Sequence, residues 1–475
     1  MLARRWVKVK AAIVGAGISG LATAQAILAR EPAAELTVFE ARGRAGGKVE
    51  TEVAEEGYLC EWGVNAFLDK VPRTLELCTE VGLTPLRADE SAKKRYVFSE
   101  GRLHKLPEKP QEFLASRLLS WPGRARVLAE VFAGASGKDD ETLAEFGTRH
   151  LGREAFEKLI DPMASGVFAG DATRMSLKSC FPRIHEVESE HGSLIRGLIR
   201  LQRQARRAGR KDRPGPGPGG MLTSFEGGMS TLTDTLAAQL GRRLRLETAV
   251  AGIDYRQGRY TLSLADGTGE EFDTVVVAAP AHAQQHLLRD LSPRIAGELG
   301  AIPYPALAVV CMGFDSARIG ARMRPGLDGF GFLIPSREQR GILGTVFDSN
   351  VFPNRARSGK VLLRTMVGGA RAPQLAEQQD ERLIAGVLGD LRDILDVREP
   401  PEFVSIYRHA RAIPQYLVGH ARRLEVIDEE LRKFPRLVLG GNAFRGVSLN
   451  DCVLNAQKIA QSLLPSAGSR GSAGS

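Results

Sequence analysis

The sequence predicts an α/β protein with a parallel-sheet domain, a second domain built on a mixed sheet, and an inserted helical domain. Residues 11–40 run in the order strand, glycine-rich turn, helix, strand. Residues 110–210 are mainly helical with basic faces, and residues 305–370 alternate short apolar strands with glycines. Strands that alternate with helices favour a parallel sheet, and closely spaced short strands between turn residues favour a second sheet.

Length and composition agree with a globular protein of two or three domains. The chain has 475 residues, of which 43% are hydrophobic and 25% are charged. It contains no run of about eighteen apolar residues, so we expect no transmembrane helix. The segment before the glycine-rich turn is too short for a secretory signal.

Cysteines and charge narrow the classes further. The five cysteines are widely separated and the eight histidines are scattered, so we expect reduced thiols, with no disulfide framework and no metal site. The net charge of +9 is compatible with a nucleic acid, an anionic membrane or an anionic substrate. It is equally compatible with a solvated, arginine-rich surface.

The stretch from Ala11 to Glu40 indicates a dinucleotide site. Its turn reads Gly15-Ala16-Gly17-Ile18-Ser19-Gly20, and the second strand ends at Glu40. The three glycines of such a turn permit a tight bend, a close approach to pyrophosphate and close helix packing. The helix N-terminus offers N–H groups to phosphates, and the carboxylate accepts hydrogen bonds from a ribose.

The residues that follow Glu40 narrow the choice of dinucleotide cofactor. The segment Arg42-Gly43-Arg44-Ala45-Gly46-Gly47-Lys48 contains an Arg-x-Gly-Gly pattern that resembles the second fingerprint of the FAD-dependent amine oxidase and phytoene desaturase superfamily. An arginine supplies positive charge near the diphosphate, and two glycines let the backbone approach the cofactor. Glu61-x-Gly63 follows at the distance at which this superfamily runs a segment under the isoalloxazine, although Val64 stands where relatives usually have Pro.

Several further elements are predicted in the N-terminal half. We expect a helix within residues 70–90 that stops near Gly82, and a hairpin over residues 93–107. Residues 192–208 have leucines on one face and arginines on another, which is typical of a helix that lies on an anionic membrane or of an ordinary surface helix. The proline- and glycine-rich residues 213–220 predict a loop.

The C-terminal half continues the alternation. We expect a helix ending at residue 240, a long helix over residues 377–396, and a strand, glycines and helix over residues 437–464. The last helix N-terminus could stabilise negative charge on a reduced flavin. The tail from residue 466 is rich in glycine and serine, so we expect it to be disordered. Between the helix that ends at residue 240 and the long helix, we expect three further strands, at residues 244–250, 260–265 and 273–279.

The later motifs resemble those of the protoporphyrinogen oxidase family, oxygen-dependent FAD enzymes of haem and chlorophyll synthesis. The resemblance runs from the first fingerprint to the last helix. The FAD fingerprints alone would also fit amine oxidases and carotenoid desaturases, but the combination is narrower. The motifs are Gly166–Asp171, Ser179–Pro182, Asp328–Pro335, Met366–Gly369, Ile413–Tyr416 and Gly440–Cys452.

The resemblance implies a Rossmann-like FAD-binding domain, a mixed-sheet substrate domain and an inserted α-helical, membrane-associated domain. The FAD-binding and substrate domains are expected to be discontinuous. The expected FAD-binding parts are residues 8–86, 213–285 and 434–465; the substrate parts are 87–94 and 286–433; the insertion is 95–212, and the tail is 466–475.

The reaction implied by the resemblance is the six-electron oxidation of protoporphyrinogen IX to protoporphyrin IX. Each of three steps moves a hydride from a meso carbon to FAD, and O2 is reduced to H2O2. No acid/base dyad or nucleophile stands out in the sequence, so no side chain is assigned as catalytic. The protein is expected to place one meso carbon against the flavin and to bind the propionates.

The resemblance also assigns residues. Arg95 is expected to pair with a propionate, and the Gly166 carbonyl to face the pyrrole N–H groups. The expected walls of the macrocycle are Met163, Gly331, Leu333, Leu343 and Met366. The expected FAD contacts are Gly15, Gly17, Ser19, Gly20, Glu40, Arg44, Gly46, Gly47, Lys48, Gly63, Val250, Gly441, Asn442, Gly446 and Val447.

Partners and alternatives complete the prediction. The expected partners are the porphyrinogen and O2, with peripheral attachment to the cytoplasmic face of a membrane, no nucleic acid, and a homodimer allowed. A coproporphyrinogen III oxidase is the first alternative. An amine oxidase would carry an aromatic pair facing the flavin, and the segment 440–452 offers Phe444 but no clear pair. A non-catalytic flavin-binding or nucleic-acid-binding protein is the alternative from a different class.

Overall fold

The computed structural model describes residues 10–107, 110–207, 220–319 and 328–463. The predicted leader and tail lie outside the described residues, as does nearly all of the loop predicted at 213–220. The strands are β1 (Lys10–Val14), β2 (Glu35–Phe39), β3 (Thr51–Val53), β4 (Leu59–Glu61), β5 (Phe67–Leu68), β6 (Leu86–Arg87), β7 (Arg95–Ser99), β8 (Arg102–Lys105), β9 (Leu222–Ser224), β10 (Leu244–Arg245), β11 (Val250–Arg256), β12 (Arg259–Leu264), β13 (Gly269–Phe272), β14 (Thr274–Val277), β15 (Leu307–Asp315), β16 (Gly331–Leu333), β17 (Ile342–Val346), β18 (Lys360–Gly368), β19 (Phe403–His409) and β20 (Leu437–Leu439).

The α-helices separate and cover these strands. The helices are α1 (Ile18–Arg30), α2 (Pro72–Glu80), α3 (Pro110–Ala115), α4 (Trp121–Leu128), α5 (Leu143–Leu151), α6 (Arg153–Ala155), α7 (Asp161–Phe168), α8 (Leu177–Cys180), α9 (Pro182–His191), α10 (Leu194–Arg207), α11 (Ser230–Leu240), α12 (Ala281–Leu288), α13 (Pro293–Gly300), α14 (Ser316–Ile319), α15 (Asp348–Val351), α16 (Asp380–Leu395), α17 (His420–Leu431) and α18 (Leu449–Leu463). A π-helical turn over Phe156–Ile160 joins α6 to α7.

A five-stranded parallel sheet in the order β10-β2-β1-β14-β20 forms the first domain. Ala11 and Ile13 of β1 pack with α1 and α18 on one face. Ala12 and Val14 pack on the other face, with the three-stranded sheet β11-β12-β13 and with α12, α13 and α17. Burial on both faces is what a continuous apolar strand in a parallel sheet requires, so the predicted unit of strand, glycine turn, helix and strand is confirmed.

A seven-stranded sheet in the order β19-β15-β18-β17-β16-β7-β8 forms the second domain. All its pairings are antiparallel except β16 with β7, so it is the predicted mixed sheet. Alternate residues of β15 point to opposite faces. Val310 and Met312 pack against α16, whereas Val309 and Cys311 pack against the segment Tyr58–Trp62 of the first domain.

The structure differs from the predicted domain division in two respects. The hairpin β7–β8 belongs to the seven-stranded sheet, so the helical insertion begins after residue 105 instead of at residue 95. Helices α13 and α17, assigned to the substrate domain within 286–433, pack instead on the five-stranded sheet. Both differences concern contacts between segments distant in sequence, which the local pattern does not encode.

The local element predictions were mostly right. The basic helix predicted at 192–208 is α10, and the long helix predicted at 377–396 is α16. The single strand predicted at 244–250 is wrong: it is split into β10 and the start of β11, because the chain turns at Glu247, whose φ is 51°. Over the described ranges, no helix is long and apolar enough to cross a membrane.

Candidate active site

The predicted cofactor turn is a close-packed backbone cradle. Gly15 has a φ of 105°, a conformation that L side chains rarely adopt. A Cβ atom on Gly20 would lie 1.9 Å from the carbonyl oxygen of Gly15, so only glycine allows α1 to start so near β1. No side chain caps the N-terminus of α1, and its first N–H groups therefore remain available to a phosphate.

The carboxylate of Glu40 is held beside this cradle. It accepts hydrogen bonds from the backbone N–H groups of Ala16 (2.8 Å) and Arg42 (3.0 Å). These two bonds fix the carboxylate at the end of β2, next to the glycine turn. A carboxylate has about four lone-pair positions, so Glu40 can still accept hydrogen bonds from ribose hydroxyls.

The sequence predicts that Arg44 contacts the cofactor, but in the structure its guanidinium mainly contacts its own loop. Its guanidinium donates to the carbonyl oxygens of Gly47 (2.7 Å) and Ala45 (2.9 Å) and forms an ion pair with Glu50. These contacts hold the glycine turn in shape, and the Glu50 carboxylate neutralises much of the local charge. Gly46 in turn donates its N–H to the carbonyl of Ala16 (2.8 Å), which fixes the second glycine loop against the first.

Lys48 connects the two domains. Its ammonium donates to the carbonyl oxygens of Arg411 and Ala412, and burial lowers its pKa to about 8. The side chain is therefore engaged by the segment after β19, which leaves the Lys48 backbone as the part that can contact a cofactor. A Cβ atom on Gly63 would lie 2.0 Å from the Lys48 carbonyl oxygen, so glycine is required where this segment crosses Lys48.

Glu61, two residues before Gly63, is completely buried in a polar network. Its carboxylate accepts hydrogen bonds from the Met229 N–H (2.8 Å), the Thr51 hydroxyl (2.8 Å) and the Arg355 guanidinium (3.1 Å). Burial raises the pKa of Glu61 to about 7. The network ties the segment that would run under the flavin to residues from three other regions of the chain.

The C-terminal glycine loop is held by Tyr416, a residue to which the sequence assigned no role. Its hydroxyl donates to the Asn442 carbonyl (2.6 Å) and accepts from the Gly446 N–H (3.1 Å). Its ring stacks on His420 at a centroid distance of 4.2 Å. Asn442, Gly446 and the neighbouring Val447 are thus fixed at the carboxyl end of β20, the edge of a parallel sheet where ligands bind.

The predicted substrate residues on the large sheet share one of its faces. Arg95 is in register with Gly331, and Leu333, Gly344 and Met366 are in register across β16, β17 and β18. Met366 also pairs with Val309, whose side chain packs towards the first domain. Leu343 lies at the irregularity in β17 and packs in the same cluster as Met366.

Helix α7 closes this face from the side of the insertion. A Cβ atom on Gly166 would lie 2.6 Å from a methyl carbon of Leu333, so the helix and β16 are in direct contact. Met163 lies one turn earlier on the same helix. The Arg95 guanidinium lies 5.8 Å from the centre of the Phe330 ring. The structure therefore places the predicted substrate residues around a single wall between α7 and the large sheet.

The wall also includes residues that the sequence analysis missed. Asp348 and Arg364 are buried and form an ion pair of 2.9 Å, and Asp348 accepts a hydrogen bond from the amide of Asn65 (3.3 Å). Asn65 stands in the segment after Gly63, whereas its partners come from α15 and β18. In the sequence, the one signal for this group was that Asn65 stands two residues after Gly63.

These residues fit FAD. The first glycine turn and the uncapped helix suit a pyrophosphate, and Glu40 suits the ribose. The second loop, Gly63 and the loop after β20 offer backbone to a flat ring. Among the described residues, no group of three or more His, Cys, Asp or Glu side chains is placed to hold a metal ion.

Comparisons with known proteins agree with this geometry. Residues 18–464 match the family model described as flavin-containing amine oxidoreductase. The chloroplastic protoporphyrinogen oxidase of Oryza sativa subsp. japonica is 34% identical over 473 residues, covering 95% of this chain and 87% of that protein. The coproporphyrinogen III oxidase of Bacillus subtilis is 32% identical and covers 93% of this chain and 95% of that protein.

A solved structure agrees in fold over most of the chain. It is a crystal structure from Exiguobacterium sp. 255-15 with protoporphyrinogen oxidase in its name. The TM-score is 0.78 at 29% sequence identity, covering 96% of this chain and 98% of that chain.

Proposed function

The chain belongs to the flavin-containing amine oxidoreductase family, and we propose that it is an FAD-dependent oxidase that converts protoporphyrinogen IX to protoporphyrin IX. The observation that carries the proposal is the wall between α7 and the large sheet. It combines Arg95 and apolar residues on one face of the sheet, beside the segment that contains Gly63. A macrocycle that is apolar apart from its propionates requires such a surface.

Bound FAD supplies the redox chemistry, because it accepts a hydride from the substrate and is reoxidised by O2, which becomes H2O2. The protein's own residues bind and orient. Arg95 offers a planar fork to a carboxylate, which limits rotation of the macrocycle. Leu333 and Met366 exclude water beside the reacting carbon. The Gly166 carbonyl lies on the helix that faces Leu333, where it can accept a hydrogen bond from a pyrrole N–H.

Oxygen consumption with protoporphyrinogen IX and variants of Arg95 test the function. Holoenzyme should consume O2 with protoporphyrinogen IX and form a fluorescent porphyrin. The variant Arg95→Ala should lower kcat/KM by about ten- to a hundredfold at unchanged FAD content, because losing a charged hydrogen bond typically costs about 1.5–3 kcal/mol. Arg95→Lys should recover part of this loss. Arg398→Ala, which removes an exposed arginine paired with Asp396, is the control. Wild-type efficiency in Arg95→Ala would remove Arg95 from substrate binding.

Coproporphyrinogen III is the second candidate substrate. The Bacillus subtilis relative named for that activity matches this chain almost as well as the rice protein does. The two porphyrinogens differ in the number of propionates, and therefore in how many cations they require. Initial rates with both substrates under the same conditions decide between them, and a higher kcat/KM for coproporphyrinogen would replace our assignment.

We also propose that the helical insertion attaches the protein to the cytoplasmic face of a membrane. Large apolar side chains are exposed there, with Trp121 at 74% and Phe132 at 87%, and α10 adds a row of arginines. The fraction of protein that sediments with anionic vesicles should fall in the double variant Trp121→Ser/Phe132→Ser. The control is Val53→Ser, which replaces an apolar side chain of β3 that is 68% exposed and should not change this fraction. Equal, negligible binding to anionic and neutral vesicles would remove this role.

The homodimer stays a prediction, which light scattering of the purified protein can test.

A further inference from the structure

The amide of Asn65 has one satisfied end and one unsatisfied end. Its Nδ2 donates to Asp348 Oδ1 at 3.3 Å. Its Oδ1 is buried and has no hydrogen-bond partner in the part of the chain that the structure describes. A buried acceptor without a partner is unfavourable, so an amide oxygen of this kind points to a donor on a ligand.

Asp348 fixes the orientation of the Asn65 amide, because it accepts a hydrogen bond from the NH2 group. Its carboxylate is fully buried and its other oxygen accepts from Arg364 Nε at 2.9 Å. A carboxylate that pairs with an arginine offers only acceptor oxygens to its other neighbours. It can therefore face only the NH2 group of Asn65, and the amide oxygen must point the other way.

Arg364, Asp348 and Asn65 connect the large sheet to the segment that follows Gly63. Arg364 lies on β18 in register with Val346, which pairs with Gly331 of the wall. Asn65 lies two residues after Gly63, and the next residue, Ala66, packs in a cluster with Phe330 and Met366. The unsatisfied oxygen thus belongs to a residue between the flavin segment and the substrate wall.

We propose that Arg364 and Asp348 are positioning residues that hold the Asn65 amide with its oxygen towards the bound macrocycle, where it accepts a hydrogen bond from a pyrrole N–H. This inference rests on the proposed function. A porphyrinogen carries four pyrrole N–H groups and the porphyrin product carries two, so an acceptor at this place favours the substrate over the product.

The test measures binding without turnover. Holoenzyme is reduced with dithionite under anaerobic conditions, so that protoporphyrinogen IX binds and is not oxidised, and its Kd is measured. Asn65→Ala and Asp348→Asn should each raise this Kd by about ten- to a hundredfold. Asp348→Asn should add nothing to Asn65→Ala in the double variant, because Asp348 acts through Asn65. Asp390→Asn, which alters another buried aspartate paired with an arginine, should leave the Kd unchanged.

Each outcome has a defined meaning. Independent, additive effects of Asp348→Asn and Asn65→Ala would overturn the positioning role, as would a wild-type Kd in Asn65→Ala. A change in FAD affinity or flavin reduction potential with no change in substrate Kd would assign the amide oxygen to the flavin and also overturn the proposal. If Asp348→Asn does not fold, Asp348→Glu, which moves the carboxylate by one methylene, replaces it in the same comparison with Asn65→Ala. Failure of the wild-type protein to bind protoporphyrinogen would instead refute the proposed function.

Discussion

Replacing Gly166 with alanine should damage substrate handling while the protein remains folded. Gly166 lies in α7, and an added Cβ atom would lie 2.6 Å and 2.9 Å from the two methyl carbons of Leu333 and 3.3 Å from its Cγ. Carbon atoms at such distances repel strongly, so either Leu333 must rotate or α7 must move. The end of a leucine side chain moves more easily than a helix, and Leu333 lines the substrate wall.

The effect on stability should be small. Alanine in a helix interior gains about 0.5–1 kcal/mol over glycine. Overpacking against a well-packed neighbour costs about 1–3 kcal/mol. The net destabilisation is therefore between about 0 and 2.5 kcal/mol, which a domain of ordinary stability tolerates. Displacing one methyl group into a substrate pocket is worth about 1–3 kcal/mol in selectivity, so kcat/KM should fall by about ten- to two-hundredfold.

The assay is kcat/KM for protoporphyrinogen IX, normalised to bound FAD, together with Tm. The control is Gly386→Ala in α16, where no atom lies within 4 Å of the added Cβ and activity should be unchanged. Leu333→Ala in the Gly166→Ala background should recover part of the activity, because it removes the clashing methyl groups. Wild-type kcat/KM in Gly166→Ala would refute the reasoning, since Leu333 would then move without entering the substrate space.

Three other perturbations test the cofactor site and the buried polar groups. Glu40→Ala should weaken FAD binding by at least about tenfold, measured by equilibrium dialysis, because the ribose loses its acceptor and the Ala16 N–H loses its partner. Arg355→Met should lower the free energy of unfolding in urea by about 3–5 kcal/mol, because it leaves Glu61 buried without its ion-pair partner. Burial lowers the pKa of His420 to about 4, below its value of about 6.5 when unfolded. The unfolded state therefore binds more protons between these values, and His420 should lower stability by up to about 3 kcal/mol as the pH drops from about 6.5 to 4, a contribution that His420→Gln should remove.

Each of these predictions can be contradicted. Unchanged FAD affinity in Glu40→Ala would show that ribose contacts contribute little to retention. A stability loss in Arg355→Met that is not reduced by adding Glu61→Gln would place the cost in packing instead of in the stranded carboxylate. A pH slope that is no smaller in His420→Gln than in the wild type would belong to other groups.

The sequence by itself determined the elements whose information is local. The first strand, glycine turn, helix, second strand and Glu40 are defined within about thirty residues, because each part is required at a fixed spacing by one ligand-binding turn. The basic helix α10 was predicted because its periodicity lies within one element. The family resemblance named the residues of the wall between α7 and the large sheet, and Gly166, Gly331, Leu333 and Met366 among them lie in short, contiguous motifs.

Only the tertiary structure decided which of these residues meet. Arg95 lies beside Gly331 because β7 joins the large sheet, a pairing that moved the predicted boundary of the insertion. The ammonium of Lys48 reaches carbonyl oxygens 363 and 364 residues away, and Asn65 meets Asp348 across 283 residues. Such contacts depend on how sheets and helices pack, and neither periodicity nor spacing encodes the partner of a buried polar group. The orientation of the Asn65 amide was therefore invisible in the sequence, because it is set by a hydrogen bond to a carboxylate that is distant along the chain.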